Sequence, residues 1–325
     1  MVKKHTHITT KKDSYTPEPS FATAATLPKG VSIAASLNFV FAGFESVLCL
    51  DETNHWGPVY EKAKPTESWE ETAHRGAYEN TGMRIGDLHL VGYIETFNED
   101  RSSKSSVNRK SIIPITYSFV TNEVEDWKPT GKKKGEVFSP THTREALKEN
   151  ENDSKTLAIY EHILGILKKD LQVTYQFIPG KMLDDVLVTS VMTFCKNKKE
   201  EFCIVKDSSE TFYSLPGGGR SLNETPMECS KRELLEEALV ESKHEEVLGT
   251  ILVSFNRGSV CVAKMQQVRY LSDADIIHKF VPHNNGFETD DRQFIPFNEL
   301  GTKVKQLGYP TGLAILNYLA KKNIA

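Results

Sequence analysis

The sequence predicts an α+β protein built from two similar halves, and three observations predict it. Segments repeat at an offset of 155 to 158 residues along a chain of 325. Each half mixes short strand-like runs with amphipathic helical patterns, the order that lays helices against a sheet. Each half also carries an acid-rich helix with a capping-box start signal, Ser68 with Glu71 and Thr225 with Glu228.

The elements follow in order. Residues 1–30 are rich in Lys, Thr, Ser and Pro and too poor in apolar side chains to offset ordering entropy, so a loosely ordered tail is expected there. Residues 31–172 make the first domain and 173–325 the second, because "KKDLQVTYQFIPGKMLDD" mixes charge, Pro and Gly as a linker does. "FESVLCLD" from Phe44 aligns with "EFCIVKD" from Glu201, and "VGYIETFN" from Val91 with "LGTILVSFN" from Leu248. Both pairs read as strands. "EVFSP" from Glu136 aligns with "RQFIP" from Arg292; "LAIYEHIL" from Leu157 and "LAILNYLA" from Leu313 close each half as amphipathic helices.

The acid-rich helix of the second half is expected from Pro226 to about Val240, with Thr225 as N-cap. Met227, Leu234, Leu235, Ala238 and Leu239 form its expected apolar stripe. Glu233 stands three and four residues before Glu236 and Glu237, so three carboxylates share neighbouring turns. Each such like-charge pair costs roughly 0.2–0.5 kcal/mol unless a positive group lies between. A divalent cation that prefers oxygen ligands would relieve the repulsion; so would Arg232, pairing with Glu228 and Glu236 on a solvated face. Just upstream, Gly217, Gly218 and Gly219 allow close backbone approach, as a loop holding phosphate oxygens requires.

Together these residues resemble the Nudix box. Gly218, Glu224, Arg232, Glu233, Leu234, Glu236, Glu237 and Val240 occupy its specified positions, while Leu239 replaces its second glycine. The resemblance implies tandem α/β/α sandwich domains with mixed sheets and hydrolysis of a nucleoside diphosphate derivative with Mg²⁺ or Mn²⁺. It assigns Glu233, Glu236 and Glu237 as metal-binding and catalytic residues, with Glu233 a ligand or water-orienting group. Glu224 and Arg232 would brace the loop and helix. The same resemblance offers Glu288 as a further ligand or base, with Asp290 and Asp291 close behind.

Carried back by 157 residues, the pattern finds Glu67, Arg75 and Glu79. Gly218 becomes Glu61, Glu233 becomes Gly76 and Glu237 becomes Asn80. A divalent ion finds few ligands there, so the first domain reads as a catalytically silent copy. Trp56, Tyr60 and Trp69 are expected to fill core space beneath its helix, with base stacking as the alternative. The run "GKKKG" from Gly131 reads as a solvated loop.

A net charge of −4 does not predict a nucleic-acid partner, and no apolar run reaches the length of a membrane span. The N-terminus lacks the apolar core of a signal peptide, and five scattered cysteines outside CxxC spacing suggest neither a disulfide framework nor a zinc site. The expectation is a cytoplasmic enzyme taking a nucleotide-derived small molecule, an internal pseudo-dimer that is a monomer or homodimer overall. Two readings stand beside it: a non-catalytic nucleotide sensor or RNA-interacting protein, and cleavage of capped RNA ends, which needs a local basic groove.

Overall fold

The structure is a computed structural model that describes residues 21–99, 108–123, 127, 134–148, 154–207, 210–221, 224–282 and 289–322. The chain divides into two compact units, with the division between Asp170 and Leu171.

In the first unit the strands are β1 (Phe21–Thr23), β2 (Ser32–Ile33), β3 (Ala35–Ala42), β4 (Glu45–Leu50), β5 (Trp56–Gly57), β6 (Val59–Lys62), β7 (Met83–Ile85), β8 (His89–Glu99), β9 (Asn108–Glu123) and β10 (Lys134–Phe138). The helices are α1 (Trp69–Thr81), α2 (Pro140–Lys148) and α3 (Ser154–Asp170). The main sheet path is β1-β8-β9-β3-β4-β10, mixed because β3 runs parallel to β9 and the other neighbours run antiparallel. Strand β1 falls inside the stretch expected as tail, pairing Phe21–Thr23 with Gly92–Ile94. Composition weighs side-chain burial and is blind to the hydrogen bonds that a sheet edge offers to a passing backbone. Residues 1–20 lie outside the described residues.

The second unit holds β11 (Gln172–Pro179), β12 (Val188–Lys196), β13 (Phe202–Asp207), β14 (Val240–Arg257), β15 (Val260–Ile277) and β16 (Thr289–Ile295), with α4 (Pro226–Ala238), α5 (Phe297–Lys303) and α6 (Pro310–Lys321). Its sheet order is β11-β14-β15-β12-β13-β16, and the β12–β15 pair is parallel. Alternation along the strands sends successive side chains to opposite faces. On one face Cys195, Cys203, Val205 and Ala274 meet Leu234 and Ala238 of α4. On the other, the Phe202 ring lies 6.3 Å from Phe194 and 6.0 Å from Phe297 of α5, and Phe177 meets Tyr318 of α6 at 5.9 Å. The result is a sheet between helices, an α/β/α sandwich.

Helix α4 begins as expected, with the Thr225 hydroxyl accepting from the Glu228 N–H and the Glu228 carboxylate accepting from the Thr225 N–H. Removing such a cap typically costs about 1 kcal/mol. The buried stripe differs from expectation. Cys229, Ser230, Glu233, Leu234 and Ala238 are buried, whereas Met227 and Leu235 are 42% and 43% exposed. The sheet and glycine segment select the face through Leu234, Ala238 and Glu233, and at 3.6 residues per turn Met227 and Leu235 rotate away. Among the described residues no helix is long and apolar enough to cross a membrane. Cys49, Cys195, Cys203 and Cys229 are buried thiols, and Cys261 is exposed.

Candidate active site

The glycine segment lies as an added strand beside β12. Val191 donates its N–H to the Gly218 carbonyl at 3.0 Å, Thr193 donates to the Pro216 carbonyl at 2.9 Å, and Ser190 bridges Gly219. This placement explains two of the three glycines by close approach. A Cβ on Gly217 would lie 2.2 Å from the Val191 carbonyl oxygen, and one on Gly218 would lie 2.4 Å from Glu233 Oε1. Around Gly219 there is open space. Glu233 is therefore buried directly against the glycine segment, instead of standing with Glu236 and Glu237 on a solvated face.

Arg232 is the hub. Its Nε and Nη2 donate to Glu224 at 3.0 and 2.7 Å in a fork, and Nη1 donates to Glu233 at 2.8 Å and Glu236 at 2.9 Å. A planar guanidinium matches two carboxylate oxygens at once, which fixes the loop before α4 to the middle of the helix. The expected partner Glu228 is instead consumed by the cap at Thr225. Glu237 also reaches the glycine segment, accepting the Gly217 N–H at 2.9 Å. Burial disfavours ionised Glu224, yet the hydrogen bonds from Arg232 and the Ser221 N–H outweigh it and hold its pKa below the ordinary value. For Glu233 burial prevails over the pairing with Arg232, and its pKa is raised.

The end of α4 is held from β16. Leu239 adopts the left-handed conformation, φ 52 and ψ 44, where the Nudix pattern has glycine. Arg292 compensates by donating to the Ala238 and Leu239 carbonyls and to that of His278. Thr289 donates its hydroxyl to the Glu237 carbonyl at 2.7 Å, which ties the first residue of β16 to the helix. Glu288 lies outside the described residues. Asp291 accepts from the Tyr213 hydroxyl and the Gln293 amide, and the Tyr213 contact holds its pKa down; Asp290 is half-buried on the same strand. Sequence reading did not find Arg292 or Tyr213, because nothing in their local spacing announces contacts made more than fifty residues away.

The first unit repeats the bracing with two residues exchanged. Arg75 forks onto Glu67 at 2.6 and 2.8 Å and reaches Glu79 at 3.0 Å, and the Arg75 pairing holds the Glu67 pKa down at about 2. Its Nη1 also meets Glu61 at 3.0 Å. A Cβ on Gly76 would lie 2.6 Å from Glu61 Cβ, so the carboxylate comes from the strand and the glycine from the helix, the reverse of Glu233 and Gly218. Asn80 donates to Glu61 at 3.3 Å. Tyr60 is 47% exposed, and Trp56 and Trp69 are half-buried, so none fills the core as expected. Trp56 and Tyr60 line a cavity of about 590 Å³, and Trp69 lines one of about 940 Å³, because Ala73, Gly76 and Ala77 are the side of α1 that reaches the sheet. Of the lysine run, Lys134 pairs with Glu136 at 3.3 Å; residues 131–133 lie outside the described residues.

Carboxylate oxygens are the donors that a hard divalent cation takes, and Arg232 Nη1 already places positive charge between Glu233 and Glu236. Among the described residues no three acidic, His or Cys side chains converge as a ready-made metal site. Glu233, Glu236 and Glu237 are nonetheless oxygen donors of the chemistry that such an ion takes.

A mixed sheet between helices, with an arginine-braced glycine strand and acidic helix, defines the class, and comparison with known proteins agrees. The NUDIX domain model matches residues 186–312. The match falls within the second unit, which carries a Nudix domain. Among solved structures it is similar to a pyrophosphohydrolase of Bacillus subtilis, with 18% identity, 46% of this chain and 92% of that chain covered, and a TM-score of 0.38. It is also similar to a NUDIX hydrolase of Nitrosomonas europaea (10%, 42% and 90%, 0.33) and a MutT protein of Methanosarcina mazei (16%, 44% and 99%, 0.31). No curated protein matches the sequence.

Proposed function

We propose that the second unit hydrolyses a phosphoanhydride bond in a nucleoside diphosphate derivative. The observation that carries this reading is the seating of Glu233 and Glu237 against the adjacent glycines Gly218 and Gly217, with Glu236 joined to Glu233 through Arg232. Glu233, Glu236 and Glu237 would hold Mg²⁺ or Mn²⁺, which supplies charge neutralisation at the phosphates and acidifies a bound water. The chain's own residues do the rest. Gly219 leaves open space beside the strand for phosphate oxygens, and Arg232 with Glu224 keeps the helix from shifting as substrate enters. Water attacks one phosphorus, the bridging P–O bond breaks, and the leaving phosphate departs with the electron pair. Glu233 would hold the ion or orient the water, and Glu288 is the carboxylate proposed to take the water's proton.

The first unit is proposed as a non-catalytic copy, on the observation that Glu61, Glu67 and Glu79 all pair with Arg75 while Gly76 and Asn80 replace two acids. The test is product release from nucleoside triphosphates, ADP-ribose, dinucleoside polyphosphates, nucleotide sugars and capped RNA, with and without Mg²⁺ or Mn²⁺. Turnover that needs the ion and disappears in both Glu236→Gln and Glu237→Gln is expected. Nucleotide binding without turnover of any compound would instead select the sensor.

A further inference from the structure

Arg269 on β15 is a buried charged side chain to which the site described so far gives no role. It is 5% exposed, and burial pushes its pKa down to about 10. Its contacts are the Val268 carbonyl and Gln267 Oε1, both at 3.3 Å, and no carboxylate among the described residues pairs with it. A guanidinium offers five N–H donors, and enclosing it without a counter-charge opposes folding. Such a group calls for an anion.

Its place in the sheet says which one. Arg269 is the register partner of Met192 in the parallel β12–β15 pair. The residues before both, Val268 and Val191, pack with Cys229 on the α4 side, so Met192 and Arg269 stand on the opposite face. A Cβ on Gly217 would point at Met192 Cγ, 3.0 Å away, which puts the glycine strand at the edge of that same face. Met192, Ser190 and Gln267 are half-buried there, while Arg269 is buried among them. Two strand spacings, about 10 Å, separate the glycine strand from β15, within the span of a nucleoside diphosphate.

We propose that Arg269 is an anion anchor of this site, a guanidinium that pairs with a phosphate of the substrate on the face opposite α4. The proposal rests on the hydrolase reading for its substrate class, and it makes Arg269 a binding and specificity residue with no part in bond cleavage. A charge enclosed without a partner in the ligand-free protein, and paired when a phosphate arrives, exchanges stability for affinity.

The test uses the full chain and its Arg269→Met and Arg269→Lys variants, with ADP, inorganic pyrophosphate and adenosine as probes in the presence of Mg²⁺. ADP and pyrophosphate are expected to raise the melting temperature of the wild type and adenosine to leave it unchanged. The anion shift should vanish in Arg269→Met and shrink in Arg269→Lys, which keeps the charge but loses the fork. Ligand-free Arg269→Met should melt no lower than wild type, and about 2–4 °C higher if the full cost of the enclosed charge is recovered. For any substrate turned over, KM should rise about 10- to 100-fold while kcat stays within about threefold. Equal anion shifts in wild type and Arg269→Lys or Arg269→Met, or no anion shift in the wild type, would overturn the proposal. Absence of turnover alongside an Arg269-dependent shift would defeat hydrolysis and leave the anchor standing.

Discussion

Substituting alanine for Gly218 separates the close approach at this site from any backbone effect. Gly218 does not occupy the left-handed region, so alanine meets no conformational penalty. The new Cβ would lie 2.4 Å from Glu233 Oε1 and 2.7 Å from its Cδ. Non-bonded atoms of this kind settle at about 3.5 Å, so the carboxylate must retreat by about 1 Å. A displacement of that size in a catalytic group costs about 10²-fold in rate, and overpacking costs about 1–3 kcal/mol of stability. Gly219→Ala is the stability control, because nothing lies within 4 Å of its Cβ position. Urea unfolding should show Gly218→Ala destabilised and Gly219→Ala unchanged. Adding Glu233→Ala to Gly218→Ala should restore part of the stability without restoring kcat. A Gly218→Ala protein with wild-type kcat and an unchanged unfolding midpoint would refute the contact.

Other outcomes follow from single residues. Burial raises the Glu45 pKa from 4.5 to about 7, so below pH 4.5 the group is protonated in both states and carries no penalty. As pH climbs to 7 the unfolded chain ionises first, and about 3 kcal/mol of stability is lost; urea unfolding at pH 5 and pH 8 should show Glu45→Gln removing that loss, and a variant no more stable at pH 8 would disprove it. A thiol reagent should label Cys261 in the native protein and reach Cys49, Cys195, Cys203 and Cys229 only on unfolding. Arg292→Ala frees the carbonyls at the end of α4 and leaves the left-handed Leu239 unsupported, for a loss of about 1–3 kcal/mol. Thermal melts of that variant with and without Leu239→Gly would show part of the loss returning.

Much of this molecule was legible in its residues because the signals were local. The cap at Thr225 with Glu228 and the proline after it act within one turn of helix, and the fork between Glu224 and Arg232 is the brace that the resemblance to the Nudix box implied. The repeat likewise pointed to the mixed sheet between helices before any strand was paired. Tertiary structure decided what depends on distant neighbours. It turned α4 so that Glu233 went beneath Gly218 while Leu235 went to solvent, since the face a helix buries is selected by the surface it meets. It made the Glu61–Gly76 exchange intelligible, because two residues fifteen apart trade roles only where their backbones nearly touch. It enclosed Arg269 with no acid beside it among the described residues, and a buried charge is visible only once the strands around it are in place.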